Sequence, residues 1–451
     1  MLRAVGNCRL AADEAPPGDD LTPNAPWRAP ARAQADPYYR GVAAPAPPGP
    51  LAGIRVVDCS TVLAGPYCTM LLADLGADVI KVEPPEGDAT RGWGPPWVGS
   101  EGAGTRTAAY YLAVNRNKRS LRLDLSREAG RDVLRRLLRV GDAVVENFRV
   151  GGFARLGFSE DALLALNPAL VHLAISGFGT RGPDAAKPGY DFVIQAVGGL
   201  MSITGEPDGR PMKVGVAISD VVSGLFGAVS VLAALLGRER GVQGGAAGGQ
   251  RIDVSLLQST LAVLVNQAQN ALVTGSHPVR RGNAHPSIVP YETFGTADGE
   301  IAIGVGSERQ WARLGPAIGL PGLATEARFA TNGDRVTRRD ELIPILAARL
   351  ATEPSASWLA RLDEAGIPAG PILDLPAALG SPQAQALGVR VPLEHPVLGS
   401  VDQVGIPFEL SATPASIRTP PPMLGEHMEA ILGELGYSRD ETQALRDSGV
   451  V

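Results

Sequence analysis

The sequence predicts an α/β fold: a large domain built on a parallel, Rossmann-like sheet, followed by a smaller α+β domain. Two observations carry this prediction. Short apolar runs of strand type alternate with amphipathic segments from residue 51 to about residue 250, the pattern of parallel strands joined by crossover helices. From about residue 286 a hairpin signal and three helical patterns follow, enough for a separate core. The 451 residues allow two or three domains, and 45% hydrophobic with 20% charged residues is ordinary for a globular enzyme.

Residues 1–50 are rich in Pro and Ala and lack periodicity, so they read as a tail or targeting segment. Arg3, Arg9, Arg28, Arg32 and Arg40 suit a mitochondrial presequence, whereas Asp13, Glu14, Asp19 and Asp20 do not. The expected setting is mitochondrial if the segment is a presequence and cytoplasmic otherwise. The large domain is expected over 51–250. Ile54-Arg-Val-Val-Asp58 is a strand, Leu63 to Leu75 a turn and helix, and Asp78 to Glu83 the next strand, giving a βαβ unit. Pro84 to Gly104 is a polar loop. Ser120–Leu125, Ala143–Phe148 and Leu170–Ile175 read as further strands, with helices over Arg127–Val140 and Glu160–Leu166.

Gly177-Phe-Gly-Thr-Arg-Gly182 fits a dinucleotide-binding spacing after a strand. That motif must open a helix, and here Pro183 and a loop follow, so a nicotinamide site is rejected. Gly241 to Gly249 is a flexible Gly-rich excursion. A linker helix is expected within 251–285, the small domain over 286–375, and a C-terminal return to the large domain over 376–451. In the small domain Ala297-Asp-Gly-Glu300 is the turn of a hairpin. Gln310–Ile318, Asp340–Leu350 and Ser355–Ala365 are helices, and Gly366 to Pro371 is a stiff connector.

A net charge of −6 gives no footprint for nucleic acid or an anionic membrane surface. Three cysteines (Cys8, Cys59 and Cys68) make neither a disulfide framework nor a metal spacing, and five histidines form no ligand cluster, so no metal is expected. His172 lies in an apolar strand and reads as a satisfied core histidine.

The chemistry concentrates at Ser219-Asp220 and the apolar helix that follows. Asp220 is the only charged residue between Lys213 and Arg238. Ser219 reads as the N-cap, which puts Asp220 in the first turn, where the helix dipole favours an anion. A carboxylate there is expected to stay ionised at neutral pH and, in dry surroundings, to act as a nucleophile. The apolar run is broken by Ser223, Gly224, Gly227 and Ser230, so it reads as a core helix and no membrane span is expected.

From Leu51 to Val451 the chain resembles the class III CoA-transferases. The resemblance rests on Val62-Leu-Ala-Gly-Pro66, Leu75-Gly-Ala-Asp-Val-Ile-Lys-Val-Glu83, Asn115-Arg-Asn-Lys-Arg-Ser120, Val145-Glu-Asn-Phe148, Ser176-Gly-Phe-Gly179, Gly189-Tyr-Asp191, Gly198-Gly-Leu-Met201, Gly215-Val-Ala-Ile-Ser-Asp220 and Leu424-Gly-Glu-His427. It implies an interlocked homodimer and CoA or acyl-CoA as substrate, with no permanently bound cofactor. It also implies Asp220 as the catalytic residue, acylated and then carrying CoA as an aspartyl thioester. A narrower match within the family, at Trp93-Gly-Pro-Pro96, Tyr111 to Lys118 and His285 to Tyr291, implies succinyl-CoA as donor and a dicarboxylic acceptor such as glutarate or hydroxymethylglutarate.

By position, the resemblance sets CoA against Val62, Leu63, Ala64, Pro66, Leu123, Asn147, Phe148, Arg155, Leu156, Pro188, Gly189, Tyr190 and Asp191. Arg155 is the foremost phosphate cation, with Lys81 and Lys118 behind it. Backbone N–H groups near Gly198, Gly199, Gly205, Gly209 and Gly215 are candidates for holding oxyanions. The free carboxylate of a dicarboxylate needs a cation, for which Arg280, Arg281 and His285 are the candidates. An α-methylacyl-CoA racemase of the same fold is the alternative. It would pair Asp191 with an upstream His, and residues 151–166 contain none.

Overall fold

The computed structural model describes residues 49–102, 104–242 and 248–451. The expected tail, and most of the Gly-rich excursion, lie outside the described residues. Six parallel strands form the main sheet: β1 (Arg55–Cys59), β2 (Asp78–Glu83), β3 (Lys118–Arg122), β4 (Ala143–Glu146), β5 (Val171–Ser176) and β6 (Gln250–Ser255), in the order β3-β2-β1-β4-β5-β6. The inner strands β1, β4 and β5 are built largely of Val, Ile, Leu and Ala because both faces are covered, whereas the edge strands β3 (KRSLR) and β6 (QRIDVS) are mostly polar. On one face α1 (Ala64–Asp74) packs with α4 (Ile218–Glu239) over Val56, Val145 and Leu173. On the other, α2 (Glu128–Arg139) inserts Val133, Leu134, Leu137 and Leu138, the stripe read from its 3.6-residue period.

Residues 251–255, expected at the start of the linker, belong with Gln250 to the edge strand β6, paired with β5 from Val171 to Ser176. The helical pattern beyond is two helices, α5 (Leu256–Val263) and α6 (Val265–Thr274), broken where Val265 adopts φ 40°. The C-terminal segment packs Ile431, Leu432, Val450 and Val451 into the α2 face. A third apolar cluster spans Val289 to Ile367, with Trp311, Phe329 and Trp358 at its centre. Its sheet is antiparallel: β7 (Tyr291–Gly295), β8 (Glu300–Gly304) and β9 (Ala369–Pro371). The stiff connector of the sequence reading therefore supplies an edge strand.

Helix α4 is long and apolar enough to cross a membrane by length and composition alone. One face of it is packed inside the fold. A Cβ on Gly224 would lie 2.6 Å from the Ala64 carbonyl oxygen, and one on Gly227 would lie 3.3 Å from Cys68 Sγ. The two glycines thus let α4 approach α1 until backbones touch. That approach fixes Asp220, near the start of α4, relative to the loop that precedes α1.

Candidate active site

The strand order reverses between β1 and β4, and in open parallel sheets ligands bind beyond the carboxyl ends of the strands at such a point. A cavity of about 230 Å³ opens there. Val62, Ala64, Asn147, Phe148, Pro188, Gly189, Tyr190 and Asp220 all line it, so eight of the residues singled out from the sequence meet in one place. Thr61, Arg149, Ser176, Gly177 and Lys187 join them. The loops after β1 and β4 are locked together: Asn147 Oδ1 accepts the Thr61 N–H at 2.9 Å, and Asn147 Nδ2 donates to the Thr61 carbonyl at 2.7 Å. Gly177 and Gly189 cross so closely that a Cβ on Gly177 would fall 2.7 Å from the Gly189 Cα. No other residue fits that crossing without moving the cavity wall.

The remaining sequence candidates lie elsewhere. Leu123 is buried in the α2-side core, with Leu156 packed against that core, and Pro66 is buried within α1. Leu63 stands at the start of α1, and Arg155 is exposed on a short helix after β4. Lys81 and Lys118 are not phosphate cations. Both are fully buried, Lys81 paired with Asp88 at 2.9 Å and Lys118 with Asp58 at 3.0 Å. None of Gly198, Gly199, Gly205, Gly209 or Gly215 lines the cavity. Arg281 and His285 line a separate cavity of about 300 Å³, and Arg280 donates to the carbonyls of Glu206 and Gly209.

Three local readings are corrected. Ser219 is not the N-cap of α4. The helix starts at Ile218 after Ala217, which gives no side-chain cap. The Ser219 N–H is instead satisfied from a distance by Asp191 Oδ1 at 2.8 Å, and its hydroxyl accepts from Thr260 at 2.9 Å. Asp191 sits in the first turn of α3 (Asp191–Val197) and is itself held by Gln195 at 2.8 Å. Asp220 is not held ionised across the neutral range. Burial first, then the neighbouring Asp191 charge, push its carboxyl up to about 7. His172 is buried but not satisfied, since neither ring nitrogen has a hydrogen-bond partner among the described residues, and Glu146 Oε1 stands 3.6 Å away.

The sequence reading missed Tyr110. Burial, and after it the charges of Asp220 and Asp191, push its hydroxyl up to about 12. Its ring meets Trp93 edge-on at 5.4 Å. The signal was two adjacent tyrosines, Tyr110 and Tyr111, of which only the second is a core residue. The arrangement presents one carboxylate, half-buried at a helix start, to a cleft with polar loop ends and an aromatic wall. Such a group can attack a carbonyl and can later leave it.

A model of CoA-transferase family III matches residues 51–428. The chain is 44% identical over 387 residues to succinate–glutarate CoA-transferase of Agrobacterium fabrum, covering 86% of this chain and 96% of that protein. It is 39% identical over 404 residues to succinyl-CoA:glutarate CoA-transferase of Mus musculus, covering 89% and 90%. Among solved structures it is similar to a CAIB/BAIF family protein from Brucella suis, with TM-score 0.76 and 42% identity over 86% of this chain and 100% of that one.

Proposed function

The chain belongs to CoA-transferase family III, and on that premise we propose that it moves CoA from succinyl-CoA to glutarate through a covalent intermediate on Asp220. The observation that carries the reading is the position of Asp220, whose carboxylate lines the cleft at the reversal of strand order. In the first step Asp220 attacks the thioester carbonyl. The C–S bond breaks, leaving a succinyl–aspartyl anhydride and CoA thiolate. The thiolate then attacks the aspartyl carbonyl, releasing succinate and forming an aspartyl–CoA thioester. Glutarate attacks this thioester and breaks its C–S bond, leaving a glutaryl–aspartyl anhydride and CoA thiolate. The thiolate then attacks the glutaryl carbonyl, forming glutaryl-CoA and freeing Asp220 as the carboxylate. A carboxylate serves in every step because it is both a usable nucleophile and a fair leaving group. Both intermediates hydrolyse in water, so a walled cleft favours transfer over hydrolysis.

CoA occupies the cleft in this proposal, with Val62, Ala64, Asn147, Phe148, Pro188, Gly189 and Tyr190 against it, Leu63 beside them, and Arg155 and Arg149 toward its phosphates. Asp191 acts on Asp220 rather than on CoA, while Pro66, Leu123 and Leu156 support the wall from the core. Glutarate's second carboxylate pairs with Arg281 and His285, brought to the cleft by a second copy of the chain. An apolar row on the outer face of α4 supports a homodimer: Leu225, Phe226, Val229 and Leu236 are exposed, as are Leu272 and Val273 on α6. Residues 51–250 with the C-terminal return form the CoA-binding body in this proposal, and 286–375 the part that reaches the partner. Relatives come from a bacterium and a mammal, so a cytoplasmic setting stands beside the mitochondrial one. The racemase alternative is not favoured, because the named relatives transfer CoA and the Asp191 carboxylate is engaged by Ser219 and Gln195.

The test is incubation with succinyl-CoA and glutarate, followed by mass spectrometry. Formation of glutaryl-CoA, with hydroxylamine trapping on Asp220 only when acyl-CoA is present, supports the proposal. α-Proton exchange without transfer would sink it. Arg281→Ala should raise the glutarate KM while leaving the succinyl-CoA KM in place.

A further inference from the structure

Four charged side chains lie beneath the loop that joins β1 to α1, and none reaches solvent. Asp58, Lys81, Asp88 and Lys118 are each at most 1% exposed. Burying such a set is costly, and a well-packed apolar set of similar volume is often as stable or more so. Each of the four makes at least one contact to residues 60–66. Lys81 Nζ donates to the Ser60 carbonyl at 2.9 Å, and Lys118 Nζ donates to the Pro66 carbonyl at 2.8 Å, so a lysine grips each end of the loop. Asp58 accepts from the Ser60 and Thr69 hydroxyls and pairs with Lys118.

The middle of the loop is Val62, whose φ is 71°. A β-branched residue rarely enters this left-handed region, because its side chain crowds the backbone, and such residues persist only where their surroundings hold them. What holds Val62 is Asp88. The Val62 N–H lies between the two Asp88 oxygens, at 3.4 and 3.3 Å. The same carboxylate accepts the Thr90 N–H and hydroxyl and pairs with Lys81. Val62 and Asp220 line one cleft.

We propose that Asp88 is a positioning residue for the coenzyme: anchored by Lys81, it holds Val62 in the left-handed conformation and so shapes the mouth of the cleft. Asp88 does not line the cleft itself. It acts through Val62. The proposal rests on the reading of the cleft as the CoA site.

A double-mutant cycle on CoA affinity, read by calorimetry, separates this role from general support of the fold. In Asp88→Asn one oxygen must serve donors from Val62, Thr90 and Lys81. The two long bonds to Val62 are the first to go. Asp88→Asn should weaken CoA binding about tenfold and raise the acyl-CoA KM more than it lowers kcat. Glycine adopts the left-handed conformation without strain. In the Val62→Gly background the same substitution should therefore weaken CoA binding less than threefold. Equal losses in both backgrounds, or a folded Asp88→Asn with unchanged CoA affinity, would overturn the assignment while leaving the cleft as the CoA site. If Asp88→Asn gives no cooperative melt, Asp88→Glu takes its place, since it keeps the charge and displaces the oxygens. Failure of the unmutated protein to bind CoA would overturn both readings together.

Discussion

The Asp191 carboxylate accepts the backbone N–H of Ser219 at 2.8 Å, one residue before Asp220. One acid therefore does two things to another. It anchors the helix start that presents Asp220, and its charge, after burial, raises the Asp220 pKa to about 7. A nucleophilic carboxylate with a pKa near the working pH retains more basicity than one in the ordinary range.

The pH dependence follows from that pair. In the proposed mechanism transfer requires ionised Asp220, so kcat/KM for succinyl-CoA should climb through about pH 7 and level off above it. Asp191→Asn removes the second cause of the rise and leaves burial, so the acid limb should move to lower pH without reaching the usual carboxylate range. A pH–rate profile of both proteins checks this, and an unmoved limb would count against the coupling.

Stability should carry the same signature with the opposite sign. The folded Asp220 carboxyl holds a proton that the unfolded chain has already released, so this group costs stability as pH rises from the unfolded pKa, about 4, to about 7. Asp220→Asn removes that cost. The variant should lose transfer entirely, yet melt above the unmutated protein at pH 8 and close to it at pH 4. Calorimetric melts at the two values measure the difference.

Gly224→Ala should destabilise by about 1–3 kcal/mol, since its Cβ meets the Ala64 carbonyl at 2.6 Å in a packed core. The move that relieves the clash pushes α4 off α1. Transfer should therefore fall along with the urea midpoint, whereas a variant of normal activity would show that Asp220 does not depend on this helix contact.

His172→Leu tests the unsatisfied histidine. Neither ring nitrogen finds a hydrogen bond among the described residues, and Glu146 keeps its 2.7 Å bond to the Phe148 N–H without it. Replacing an unpaired buried polar group by an apolar one of similar size should stabilise by about 1–2 kcal/mol. A lower melting temperature would mean that the ring is held in a way the Glu146 contact alone does not convey.

The inner strands of the large sheet were legible because they are apolar runs set off by turn residues, while the mostly polar edge strands β3 and β6 were not delimited by that signal. Helix Glu160–Leu166 and strand β2 fall on the residues that periodicity gave. Ends shifted where backbone geometry intervened, as at Val265, whose φ of 40° splits one apolar pattern into two helices. Gly366 to Pro371 looked like a connector because Pro and Gly disfavour strands, yet the edge of a three-stranded sheet tolerates both.

By itself the sequence determined which segments are apolar and with what period, and it singled out Asp220 as an acid without charged neighbours along the chain. Through its ordered motifs it also pointed to the family. Only the tertiary structure decided what surrounds that acid. Asp191 lies 29 residues before Asp220, and Tyr110, Val62 and Asn147 lie further away along the chain. Val62 and Asn147 meet Asp220 in one cleft because α1, α4 and the crossing loops pack the carboxyl ends of β1 and β4 together. A pKa, a strained φ and a buried lysine pair depend on distances through space, which residue spacing along the chain does not encode.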